Sequence, residues 1–256
     1  MIDHRGEAAI VTGGGSGLGR AITLALARAG AEVLIADVNE ELAAETEALV
    51  RAERGHAIRQ RVDVSDAADI KSLMATAKAR FGRLDMLVNN AGISPVQTPT
   101  IEVPDEEFDR MIAINLRGVW LGMKYAIPLM IEGRGGRIVN IASSMALVAQ
   151  GRGIASYVAS KHGVLGLTRA LALEYGPHNI RINALCPHGI ETPMVAKTRA
   201  LFSEEAWQQR LWSMNPATGR MNTPEEVAEV AMFLMSDAAA RLHGVALPVD
   251  SAFTAQ

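Results

Sequence analysis

Short runs rich in Ala, Val, Ile and Leu recur along the chain, each followed by a longer stretch with helical spacing. "EAAIVT" precedes "GRAITLALARAGA", and "EVLIAD", which closes on Asp37, precedes "NEELAAETEALVRAER", with Asn39 as its expected cap. "AIRQRVDV", "LDMLVNNAG", "GRIVNIAS", "IRINALCP" and "VALPVD" supply five further strand candidates. Helices are expected between them, including a long one over 104–132, one around 157–175 and one opening at Thr223 with Pro224 in its first turn. Strands this continuously apolar are covered on both faces, and their alternation with helices calls for a parallel sheet wrapped on both sides. Right-handed crossovers then leave an α/β fold: a single doubly wound (Rossmann) parallel sheet of about seven strands, with residues 1–256 as one domain. Such sheets bind ligands at the carboxyl ends of their strands.

Bulk properties exclude other classes. Hydrophobic residues make up 49% of the 256 and charged residues 21%, as in a packed globule. A net charge of -3 and 4% aromatics give neither the basic footprint nor the stacking platform of a nucleic-acid binder. The single cysteine, Cys186, leaves no internal disulfide and no cysteine-built zinc site, so no metal is expected. "MIDHRGEAAIVTGG" resembles neither a signal peptide nor a membrane span, and the expectation is a cytoplasmic protein with no membrane partner.

The turn "TGGGSGLGR" spaces Gly13, Gly17 and Gly19 as G-x-x-x-G-x-G between a strand and a helix, with Ser16 and Leu18 among them. Glycines let backbone approach a diphosphate, which then rests on the positive end of the helix. An acid is expected about 20 residues on, to accept from the ribose hydroxyls, and Asp37 closes the second strand. Its carboxylate would repel the extra phosphate of NADP, and neither Val38 nor Asn39 is a cation that would welcome it. NAD is the expected cofactor.

In "SYVASK", Tyr157 and Lys161 lie one helical turn apart and share a face. A cation beside a phenol, whose ordinary pKa is about 10, favours the phenolate and makes a tuned proton donor and acceptor. Taken alone, the pair could equally be a solvated helix face.

The turn at 12–19, "NNAG" at 89–92, Asn115 within a long helix, a serine after the fifth strand and Tyr157-x-x-x-Lys161 occur in order along nearly the whole chain. Together they resemble the short-chain dehydrogenase/reductase family. The resemblance implies hydride transfer between NAD(H) and a secondary alcohol or ketone by a Ser-Tyr-Lys-Asn set. Tyr157 would be the general acid/base. Lys161 would lower its pKa and bond the nicotinamide ribose, Asn115 would hold a water behind Lys161, and a serine would orient the substrate oxygen. Counting forward from Asn140 points to Ser143, and counting back from Tyr157 points to Ser144. An insertion is absorbed more easily in the loop than in the strand, which favours Ser143. The resemblance also implies cofactor contacts from Asp63, Val64, Asn90, Ala91 and Gly92, and from Pro187, Ile190 and Thr192 along the nicotinamide.

The chain departs from the family pattern at His188, which stands where glycine is usual. Its side chain either points to solvent or meets the substrate side of the nicotinamide pocket. Asn222 and the Ser251-Ala252 pair also replace glycines. Residues 188–216 are the expected lid over the substrate. Met194, Leu201, Phe202, Trp207, Leu211, Trp212 and Met214 form its apolar stripes, and with Val96, Met145 and Leu147 they suggest a mostly apolar substrate. Ser143, Met145, His188 and Met194 are the candidate substrate contacts. Few cations stand near this region, Arg152 being the exception. The family commonly forms tetramers through its two long helices, so a homotetramer or homodimer is expected. Two alternatives remain: an NADPH-dependent carbonyl reductase, against which Asp37 argues, and a catalytically silent NAD-binding regulatory or scaffold protein, against which the complete Ser-Tyr-Lys-Asn set argues.

Overall fold

Alternate residues of each central strand enter opposite cores. A computed structural model of the chain, describing residues 2–94, 97–151, 153–192, 195, 199 and 202–255, shows how. Ile10, Leu34 and Leu87 pack on one side of a sheet, while Ala9, Val11, Val33, Ile35, Met86 and Val88 pack on the other. The sheet has seven parallel strands in the order β3-β2-β1-β4-β5-β6-β7. They are β1 (Ala8–Thr12), β2 (Glu32–Asp37), β3 (His56–Arg61), β4 (Met86–Asn89), β5 (Gly136–Ile141), β6 (Ile180–Pro187) and β7 (Ala246–Val249).

Helices α1 (Gly17–Arg28), α2 (Glu40–Ala52) and α8 (Pro224–Met235) contribute to one core. Helices α3 (Ala67–Phe81), α5 (Gly118–Glu132) and α6 (Ala155–Tyr175) contribute to the other. Helices α4 (Asp105–Ile112) and α7 (Glu204–Met214) also lie among the described residues. The ends read from sequence hold where capping chemistry is present. Asn39 accepts from Leu42 N at the start of α2, and Thr223 with Glu226 forms a capping box at the start of α8.

Two strands are shorter than their apolar runs. β4 stops at Asn89 because the Asn90 and Ala91 amides turn aside to donate to Thr12 Oγ1, at 3.0 and 3.1 Å. β3 stops at Arg61 because Asp63 starts a turn, accepting from Ser65 N at 2.9 Å. The long helix expected over 104–132 is interrupted by a π-helical turn, Ala113–Arg117, between α4 and α5. Strand order reverses between β1 and β4; α1, after β1, and α5, the second helix after β4, lie on opposite faces. A crevice therefore opens beyond their carboxyl ends.

Candidate active site

A cleft of about 670 Å³ occupies that crevice, and every wall begins at the carboxyl end of a strand or in a segment that follows one. At one end the β1–α1 turn approaches itself closely: a Cβ on Gly19 would lie 2.0 Å from Gly13 O, so only glycine fits. Ser16, the N-cap residue of α1, makes no side-chain capping bond, which leaves the first-turn amides of α1 facing the cleft. Asp37 Oδ2 accepts from Gly15 N and Oδ1 from Asn39 N, both at 2.9 Å, fixing the carboxylate at the rim. Asn90 Nδ2 donates to Thr12 O at 2.9 Å and Gly13 O at 3.1 Å, latching the β4 loop to the β1 turn. The Ser65 hydroxyl, 2.6 Å from Asp63 Oδ1, holds the Asp63 carboxyl below its ordinary range. An uncapped helix start, a glycine cradle and a fixed carboxylate at the end of β2 fit the diphosphate and ribose of a dinucleotide.

At the other end stand the titratable groups. Lys161 Nζ donates to Ile141 O at 2.9 Å and lies 5.7 Å from the centre of the Tyr157 ring. Burial lowers the Lys161 pKa to about 8. Burial also raises the Tyr157 phenol above its ordinary value, and a hydrogen bond with Ser143 opposes that rise. The expected lowering of the phenol by Lys161 is therefore not what the structure shows. Loss of water around the ring outweighs it, and the ammonium is turned to a carbonyl.

Ser143 caps the short turn Ser144–Ala146, accepting from Met145 N at 3.1 Å, and lines the cleft. Ser144 is wholly buried, with its Oγ 2.6 Å from His188 Nδ1. Of the two serines, only Ser143 meets Tyr157. Asn115 lies in the π-helical turn, where Oδ1 accepts from Ile93 N at 2.8 Å and Nδ2 donates to Ile93 O at 2.9 Å. Its amide thus ties the π-helical turn to the loop after β4. That loop passes so near Lys161 that a Cβ on Gly92 would lie 3.8 Å from Nζ.

The remaining expected cofactor residues Gly13, Gly17, Leu18, Val64, Ala91, Gly92, Pro187, Ile190 and Thr192 line the cleft, as do Ser16, Asp37, Asp63, Asn90, Met145 and His188. Gly19, Asn115 and Ser144 stand behind it. Met194, Leu201, Val96 and Arg152 lie outside the described residues. Helix α7 shows one face to the cleft through Trp207, Arg210 and Met214, whereas Trp212 is 59% exposed. Arg210 and, from α4, Arg110 are cations that sequence reading missed. The 207/210/214 spacing, a single helix face, is the signal that would have found Arg210.

His188 does not point to solvent. It is buried, its ring is stacked on Phe253, and Asn222 Nδ2 donates to its carbonyl at 2.6 Å. Ser251 and Ala252, with φ of 49° and 65°, keep the left-handed backbone that glycine would adopt without strain.

A family model described as enoyl-(acyl carrier protein) reductase matches residues 13–254. The 2,5-dichloro-2,5-cyclohexadiene-1,4-diol dehydrogenase of Sphingobium indicum is 43% identical over 256 residues, 100% of each chain. The chain belongs to the short-chain dehydrogenases/reductases. The cyclohexanol dehydrogenase of Acinetobacter sp. is 38% identical, covering 98% of this chain and 96% of its own. The crystal structure of levodione reductase matches with a TM-score of 0.92 at 38% identity, over 98% of each chain. As a short-chain dehydrogenase/reductase, the protein is an oxidoreductase that moves hydride between a nicotinamide cofactor and an alcohol or carbonyl group. Among the described residues, no helix is long and apolar enough to cross a membrane.

Proposed function

We propose that the protein is an NAD(H)-dependent dehydrogenase of cyclic, largely apolar secondary alcohols and their ketones. One observation carries the reading. Tyr157 and Ser143 line one cleft, with the serine hydroxyl acting on the phenol, and the far end of that cleft holds a glycine cradle and a fixed Asp37 carboxylate. NAD rather than NADP is supported by that carboxylate, which would face the 2′-phosphate with like charge. The cyclic substrate is supported by the names of relatives that act on a cyclohexadiene diol and on cyclohexanol, and by walls from Met145, Ile154, Trp207, Met214 and Met221.

Asp37, Asp63, Asn90 and the β1–α1 turn would hold the adenosine and diphosphate, and residues 187–192 would flank the nicotinamide. When bound, the nicotinamide supplies or accepts the hydride. Tyr157 Oη gives its proton to the carbonyl oxygen in reduction and takes it back in oxidation. A phenol held neutral by burial suits the donating role. Ser143 Oγ shares the substrate oxygen and stabilises the charge that develops on it. Lys161 stands beside the phenol as the next proton-bearing group. Asn115 secures the Gly92–Ile93 backbone against which Lys161 packs.

Residues 188–216 serve as the lid of one catalytic domain, and the protein works in the cytoplasm as a homotetramer. Exposed Phe108, Trp120 and Leu173 on α4, α5 and α6 support that assembly. The test mixes the purified protein with NAD or NADP and a panel of cyclic and open-chain alcohols, following nicotinamide absorbance. Turnover with NAD and cyclohexanol-like substrates is expected. Turnover confined to NADP, or to open-chain alcohols, would overturn the corresponding half of the proposal.

A further inference from the structure

His188 has no task in this hydride-transfer scheme, yet it is held from several sides. It follows Pro187 at the end of β6, is 8% exposed, and places Nδ1 2.6 Å from Ser144 Oγ. Its ring lies flat on Phe253, with centroids 3.9 Å apart and planes 8° apart. The backbone is held as firmly: His188 N donates to Val249 O at 3.0 Å, and His188 O accepts from Asn222 Nδ2 at 2.6 Å. Nε2 is buried without a hydrogen-bond partner among the described residues. Burial lowers the imidazole pKa to about 4, so the ring is neutral at ordinary pH. A neutral imidazole has one donor and one acceptor nitrogen, and a serine hydroxyl can answer either, so the Ser144 bond forms in both tautomers.

Ser144 adjoins Ser143, and one peptide unit joins the residue bonded to His188 to the residue whose hydroxyl acts on the Tyr157 phenol. Both serines also belong to the same short turn, in which Ser143 O accepts from Ala146 N at 2.9 Å and Ser144 O from Leu147 N at 2.9 Å. Rotating Ser144 therefore moves Ser143. We infer that His188 is a positioning residue: through its bond to Ser144 and its stack on Phe253, it sets the direction in which the Ser143 hydroxyl meets Tyr157. This rests on the reading of Tyr157 and Ser143 as the acid/base pair.

An imidazole that merely filled space would be replaced without loss by another flat ring. Three variants separate the possibilities. His188→Phe keeps a ring against Phe253 and removes the Ser144 bond. His188→Asn keeps a hydrogen-bonding atom near the position of Nδ1 and removes the stack. Ser144→Ala removes the bond with little change of volume. The first readout is ionisation of Tyr157, followed by phenolate absorbance. Subtracting the matching Tyr157→Phe protein isolates it from the other two of the three tyrosines. It needs neither substrate nor cofactor. The second readout is kcat and KM with NAD and cyclohexanol.

Loosening the Ser143 bond removes the influence that opposes the rise of the phenol pKa. Ser144→Ala and His188→Phe are each expected to raise the Tyr157 midpoint by about half to one pH unit and to lower kcat about tenfold. The KM for NAD should stay within about twofold of wild type. His188→Asn should recover part of both losses. The double variant should be no worse than the worse single one, since both break one link. Wild-type midpoint and kcat in Ser144→Ala would overturn the inference, as would fully additive losses. Absence of turnover in the wild type would sink the proposed activity instead, while the ionisation shift would still decide the role of His188.

Discussion

At the nucleotide end of the cleft, loops are held mostly by side chains bonded to backbone groups: Asp37 to the Gly15 and Asn39 amides, Asn90 to the Thr12 and Gly13 carbonyls, and Asp63 to the Ser65 amide. At the substrate end, side chains from separate parts of the chain hold one another: Ser143 with Tyr157, Ser144 with His188, and His188 with Phe253. The first construction serves a ligand that needs a close approach of backbone amides. The second fixes the angle of a hydroxyl through a relay of side chains. Damage at the first end should therefore appear in dinucleotide affinity, and damage at the second in turnover.

The sharpest break comes from Tyr157→Phe, which should lower kcat about a thousandfold while calorimetric titration finds NAD affinity nearly unchanged. Ser143→Ala belongs beside it, with a loss of about a hundredfold. Equal weakening of NAD binding in either variant would erase the division between the two ends.

Gly19→Ala tests the opposite end. Its Cβ would meet Gly13 O, so the turn must open, and NAD affinity should fall on the order of a hundredfold. Smaller still is Asp37→Ala. Removing the like charge should narrow the preference for NAD over NADP by roughly 30-fold, read as a ratio of kcat/KM values.

His188 offers a test by acid. Its pKa is lowered from 6.5 to about 4 in the fold, so between these values the unfolded chain binds a proton that the folded protein does not. Stability must then fall as pH drops through that window, by about 1.5 kcal/mol between pH 6.5 and about pH 5 from this group alone. Denaturant unfolding of His188→Phe should lack that component; an identical acid profile would show that the imidazole is not held neutral. The least effect is expected from Ala252→Gly. Relief of a left-handed backbone beside Phe253 should stabilise the protein by about 1 kcal/mol, visible as a higher thermal midpoint.

The sheet, the cradle, Asp37, Tyr157 and Lys161 were legible because each depends on local spacing: a strand's continuous apolar run, glycines at a turn, one helical turn between two side chains. The choice between Ser143 and Ser144 was not, since counts from either side differ by one and only the hydroxyl directions separate them. His188 was unreadable because its partners, Ser144 and Phe253, are brought to it by tertiary packing alone. Arg110 and Arg210 were missed because helical stripes were read for apolar members only. The raised phenol of Tyr157 escaped a reading in which a neighbouring charge acts without the desolvation that accompanies it.

The π-helical turn Ala113–Arg117 carries one residue more than an α-helix needs there, and Asn115 sits on it, clasping Ile93. Excising a single residue from this turn would leave a straighter, more regular rod. Winding the same residues as plain α-helix, with none removed, would instead swing every later side chain about 100° around the axis. Gly118, now packed against Val64, would face elsewhere, and the clasp that keeps the Gly92 loop beside Lys161 would open. A smoother helix here would make a poorer catalyst.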